Sequence, residues 1–166
     1  MYGASSTSIL LKRRSMTSEE KDLLRKDLCA RLPYDTIVSV DNGKYREDTK
    51  LRTYHLADFN TWDVRPYLRP INTITKSEIA DAIKYICDTD NVVWDDGTSG
   101  VGFYFYKSDG IKRPFDDFKF RLGCYGPKNI DWFNKFHFDY RGLIPMGLAL
   151  PSPEGMYETK SELIPP

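Results

Sequence analysis

Reactive side chains are scarce in this chain. Among 166 residues, two are histidine (His55, His137) and three are cysteine (Cys29, Cys87, Cys124). The cysteines are odd in number and far apart, with no C-x-x-C pair and no histidine at ligand spacing. That argues against a disulfide framework and for reduced thiols in a cytoplasmic setting. There is no G-x-S-x-G, no P-loop and no G-x-G-x-x-G after a strand, so the common nucleophile and phosphate-cradle motifs are missing. No apolar run approaches the roughly 20 residues of a membrane span. Ile9-Leu10-Leu11 is too short for a signal core, and Lys12-Arg13-Arg14 lies on its wrong side. Net charge is also lacking: 24 Lys+Arg against 24 Asp+Glu give no global attraction to nucleic acid or to an anionic membrane.

Aromatic residues, by contrast, are plentiful: 11 tyrosines and 9 phenylalanines lift the aromatic share to 14% and favour strands and helix–sheet packing. The length suits one domain with a core of its own. Residues 1–15 read as a flexible basic arm and 16–166 as a single globular α+β domain. The expected fold is a small, mostly antiparallel sheet of four to five strands packed with two to three helices.

The clearest element spans about 17–32. Thr17 and Glu20 form a capping box, Leu24, Leu28 and Leu32 recur at helical spacing, and Pro33 stops the run. Thr75 and Glu78 repeat the box ahead of Ile79, Ala82, Ile83 and Ile86. Thr36–Val40 is β-branched and meets Asn42-Gly43, a strong hairpin signal, so a return strand is expected within Lys50–Leu56. Arg65–Pro70 reads as an extended connector, because its two prolines remove ladder donors. Residues 100–122 read as a long-looped hairpin, with Phe103 and Phe105 on one face and Phe118, Phe120 and Leu122 on another. Asn129 is expected to cap a short third helix.

Charge is uneven along the chain. Residues 75–99 carry two bases and six acids, and 100–128 carry six bases and three acids. Asp88-x-Asp90 followed by Val92 resembles the nucleophile motif of haloacid-dehalogenase-type phosphatases. That chemistry needs the motif at the end of a buried parallel strand, whereas here it follows a capped helix. Asp88, Asp90, Asp95 and Asp96 are therefore weak metal candidates, and the calcium-loop pattern fails at Val92 and Val93. An acidic helix-to-strand loop is the expected state. No cofactor is expected and nothing recommends an enzyme. His55 has no nucleophile nearby, and His137 beside Asp139 guarantees no mutual orientation.

Residues 99–107 resemble the aromatic strand of RNA-recognition modules, although Ser99 replaces the base and Val101 one stacking aromatic. On the face opposite Phe103, Tyr104 and Tyr106 are expected near Lys119 and Arg121, a stacking surface for single strands. In the stretch from His137 to Tyr157, Asp139 can cap a turn at Tyr140–Ile144, and Gly147 permits a positive-φ corner. Tyr140 and Arg141 flank that turn.

Three blocks, LLRKDLCARLPY (23–34), VRPYLRPINTIT (64–75) and FHFDYRGLIPMGLALPSPEGMY (136–157), resemble the signature blocks of a family of small proteins. That family is encoded by gut Bacteroidetes and by their phages and other mobile elements. The blocks cover about 46 of the 166 residues, and the segments between them are divergent. YLRPINTITKSE departs from the YLRPMSSMTEEE wording of the family, and the basic arm is an addition. The resemblance implies a mobile-element origin and a shared framework, and it implies no activity.

The resulting expectation is a non-enzymatic cytoplasmic binding protein of phage or mobile-element origin, acting on a host or phage protein. Tyr104, Tyr106, Lys119, Arg121, Tyr140 and Arg141 are the candidate contacts, since Tyr and Arg dominate interface hot spots. Two alternatives stay open: a single-stranded nucleic-acid binder using the 100–122 hairpin, and a virion or assembly component forming a defined oligomer.

Overall fold

In the computed structural model, which describes residues 15–96 and 102–157, the elements alternate along the chain. They are α1 (Ser18–Arg31), β1 (Ile37–Asp41), β2 (Arg46–Lys50), α2 (Thr53–Ala57), β3 (Asp63–Leu68), α3 (Lys76–Cys87) and β4 (Val92–Asp95). After them come β5 (Gly102–Tyr106), β6 (Lys112–Pro114), α4 (Asp117–Arg121), α5 (Pro127–Lys135) and β7 (Leu150–Pro151). The fold is α+β, as expected, and its strands divide between two sheets, β2-β1-β3-β7 and β4-β5-β6. Among the described strands, only the β3–β7 pair is parallel. Among the described residues, no helix is long and apolar enough to cross a membrane. The expected basic arm lies outside the described residues, except for Ser15.

Both capping boxes form. Thr17 accepts from the Glu20 N–H and the Glu20 carboxylate accepts from the Thr17 N–H; Thr75 and Glu78 do the same for α3. The Asn-Gly signal is also correct, with Gly43 at φ +86°. The return strand starts at Arg46 rather than in Lys50–Leu56, because so tight a turn pairs the chain at once: Asp41 lies opposite Arg46. The later residues wind into α2.

Three other expectations need correction. Arg65–Pro70 is not a connector, since Asp63–Leu68 forms a central strand. The Leu68 carbonyl accepts from Ser152 N–H beside β7, so Pro66, two residues earlier, turns its nitrogen to the same side. There β7 begins only at Leu150, opposite Tyr67, and the missing donor costs no ladder bond. The hairpin of 100–122 closes earlier than expected, pairing β5 with β6. Asp116 then accepts from Lys119 N–H and starts α4, so the alternation at 118–122 falls on a short helix, Asp117–Arg121, and the turn after it. Finally, Gly126 rather than Asn129 precedes α5; Pro127 begins the helix, and Asn129 accepts from Tyr125 N–H.

Two apolar cores result. Leu24 and Leu28 of α1 pack on Val38, Val40, Val64 and Leu68 of the first sheet. Ile79, Ala82 and Ile83 of α3 pack with Phe103, Phe105, Phe120, Trp132 and Phe138 around the second. Residues 136–157 tie the two together. Phe138 forms a parallel bridge with Arg69 at the end of β3, while Leu143 and Leu148 enter the first core.

Candidate functional site

The second sheet is covered on one side. Phe103 and Phe105 face α3 and are buried, at 6% and 7% exposure. By strand alternation Tyr104 and Tyr106 face the other way, and the register puts Val93 and Pro114 beside Tyr104 and Lys112 beside Tyr106. The Lys112 ammonium stands 4.1 Å from the Tyr104 ring centroid and 2.5 Å from an Asp95 oxygen. Val93 is 45% exposed, and a concavity of about 510 Å³ lies between Val93, Tyr106 and the turn at Ser108–Gly110. This outer face joins aromatic rings, an aliphatic side chain and a cation on one sheet.

Lys119 and Arg121 are not part of it. Both sit on α4, where Lys119 pairs with Asp116 and Arg121 with Asp117. Arg121 also donates to the Ile71 carbonyl at 2.7 Å, which anchors α4 to the segment after β3. The base over the Tyr104 ring and opposite Tyr106 is Lys112. Sequence reasoning missed it because it took the return strand to lie at 118–122, whereas the strand is Lys112–Pro114 and Asp117–Arg121 is helical.

Tyr140 and Arg141 face inward. The Tyr140 ring stacks on Phe133 with centroids 5.4 Å apart and planes 14° from parallel. Its hydroxyl is enclosed, and burial raises its pKa above the ordinary phenol value. The Arg141 guanidinium lies 4.9 Å from that ring centroid and 3.2 Å from Asp27 Oδ1. Asp27 also accepts from Arg31 Nε at 2.6 Å, and both side chains are fully buried. Arg31 in turn donates to the Phe138 carbonyl at 2.8 Å. One carboxylate between two guanidiniums therefore latches the C-terminal block onto α1. The turn itself forms as expected: the two Asp139 oxygens accept from the Leu143 and Ile144 N–H groups, and Gly147 has φ +73°.

The acids of 88–96 do not converge. Asp88 closes α3 in the left-handed region at φ +53°, Asp90 lies in the following loop, and Asp95 pairs with Lys112. Among the described residues, no three His, Cys, Asp or Glu side chains gather as metal ligands. His55 is buried and accepts from Arg52 N–H through Nδ1, a helix-start contact; burial lowers its pKa.

Sequence reasoning also missed a cleft at the junction of the first sheet and α3. It measures about 740 Å³, and Arg69, Glu78, Asp81, Phe136, Glu154 and Tyr157 contribute to its lining. Arg69 Nη1 lies 2.6 Å from Glu78, and its guanidinium stacks 4.2 Å above the Phe138 ring centroid. The rim follows Pro151–Gly155. The one local hint was proline spacing, with Pro70, Pro151 and Pro153 all on the lining. Comparison with protein-family models, curated proteins and solved structures returned no match for this chain.

Proposed function

We propose that this protein is a non-catalytic binding module that recognises another protein through the outer face of β4–β5–β6. The observation that carries the reading is the one-sided burial of that sheet. Phe103 and Phe105 fill a core, while exposed Val93 and Lys112 and half-buried Tyr104 and Tyr106 share the reverse face. Tyrosines supply large contact area at low entropic cost. The resemblance of the three blocks supports a phage or mobile-element origin and a host or phage protein as partner. Three free thiols support a reducing, cytoplasmic setting.

Single-stranded nucleic acid is the second reading, favoured by one observation: Lys112 poised over the Tyr104 ring. A photocrosslinking residue at Tyr106, with one at exposed Tyr45 in the β1–β2 turn as control, separates the two in native lysate. A protein adduct at 106 alone that survives nuclease is the expected result. An adduct that vanishes with nuclease transfers the face to nucleic acid, and none above the Tyr45 control ends both readings.

A further inference from the structure

We propose that the cleft bounded by the end of β3, the first turns of α3 and residues 151–157 is a binding site for arginine, presented by an extended peptide. It uses different elements from the outer sheet face and stands without it.

The cleft volume of about 740 Å³ falls within the range of ligand sites and exceeds what one side chain fills. That leaves room for main chain on either side of an inserted group. Its walls are pre-set: Pro70, Pro151 and Pro153 lock their own φ, so little ordering cost remains for binding.

Charge selects the sign of the ligand. Arg69 is the single base among the lining residues, against Glu78, Asp81 and Glu154. Glu78 already neutralises Arg69 at 2.6 Å. Asp81 has only a loose, exposed pair with Lys84 at 3.5 Å, and Glu154 makes no ion pair among the described residues. Two carboxylates are thus left to meet an incoming cation.

The aromatic lining selects a guanidinium over an ammonium. Phe136 and Tyr157 both border the space, and a planar guanidinium gains from stacking on rings as well as from forked bonds to carboxylates. The protein already performs this recognition once at the same wall. The Arg69 guanidinium carbon stands over the Phe138 ring, 4.2 Å from its centroid, and Nη1 pairs with the Glu78 carboxylate at 2.6 Å. A ligand arginine repeats the arrangement one layer out, with Tyr157 and Phe136 as rings and Asp81 and Glu154 as carboxylates.

The test titrates the full ¹⁵N-labelled chain with the blocked peptide Ala-Arg-Ala-Arg-Ala, and with its Lys and Glu counterparts. Amide shifts should concentrate at Thr73, Ser152 and Gly155, with the Arg peptide binding tightest and the Glu peptide silent. The double variant Asp81→Asn/Glu154→Gln should weaken the Arg peptide by about tenfold or more. Both positions are surface-exposed and outside the capping box, so circular dichroism should not change. No shifts at millimolar peptide, shifts confined elsewhere, or equal affinity in the double variant would overturn the site. Equal binding of the Lys peptide would overturn the assignment to arginine.

Discussion

Tyr157 and His137 lie ring on ring, with centroids 3.8 Å apart and planes 21° from parallel. The stack holds the Tyr157 hydroxyl in a gap between strands. There it accepts from Ile37 N–H at 2.9 Å and donates to the Tyr67 carbonyl at 2.9 Å, joining β1 to β3 beyond their last direct pair. His137 is placed for this by a left-handed backbone at φ +60° and by Thr36 Oγ1, 3.1 Å from its Nδ1. Burial pushes the Tyr157 phenol up to about 12, so it stays protonated and able to donate.

Tyr157→Phe keeps the stack and removes the bridge. A strand N–H and a C=O then lose their partner, at a cost of about 1–3 kcal/mol. Chemical denaturation gives the loss, and hydrogen exchange should speed up at the Ile37 amide in particular. An Ile37 amide as protected as in wild type would mean that the hydroxyl is dispensable.

His137 should make the fold acid-sensitive. Burial, aided by repulsion from Arg31 and Arg69, holds its pKa down at about 4, against about 6.5 in an unfolded chain. Between these values the unfolded chain binds the proton and the folded one does not. Stability from this group is complete above pH 6.5 and drains as pH falls toward 4, by about 3 kcal/mol. The His137→Asn variant, which tolerates the same backbone, should lose less stability than wild type from pH 7 to pH 4. Parallel pH profiles would refute the effect.

The latch on α1 should respond unequally to its members. Asp27→Ala leaves Arg31 charged and buried without its carboxylate, which costs about 3–5 kcal/mol. Arg141→Ala removes only the outer guanidinium, whose side chain is 28% exposed, and should cost about 1 kcal/mol. Replacing both inner partners by Asp27→Leu/Arg31→Met should be milder than Asp27→Ala alone. Thermal melts of the three variants check the order.

On the outer sheet face, Tyr106→Ala and Val93→Ala should stay within about 0.5 kcal/mol of wild-type stability, because neither side chain fills a core. Partner capture should nevertheless fall with each. Unchanged capture in a folded double variant would dismiss that face.

The sequence reveals those parts of the structure whose causes are local. Thr17–Glu20 and Thr75–Glu78 act across three residues, and Asn42-Gly43 needs only its own φ preferences, so α1, α3 and the first turn can be read directly. Pro66 misleads, because a proline rule assumes neighbours on both sides, and where β7 begins is decided some eighty residues later. Phe118-Lys119-Phe120 alternates like a strand, yet Asp116 and the Asp117–Arg121 pair favour a helix, and those short-range signals prevail. Tyr140 and Arg141 have the composition of a contact site. Only the packed structure shows that their partners are Phe133 and Asp27, so their orientation could not be read from the chain. The cleft was invisible for the same reason, since Arg69, Glu78 and Glu154 meet only after folding.

The bridge made by Tyr157 also sets an order of events during synthesis. Ile37 and Tyr67 leave the ribosome 120 and 90 residues before the side chain that joins them. Until then the end of β3 lacks β7 as well, so a nascent chain carries an unfinished strand edge while some eighty further residues are made. Contacts of such sequence separation also slow the search for the native state. For this protein the hazard of mispairing is greatest before β7 and Tyr157 are made, and a chaperone that shields β3 at that stage would raise yield without altering the finished fold.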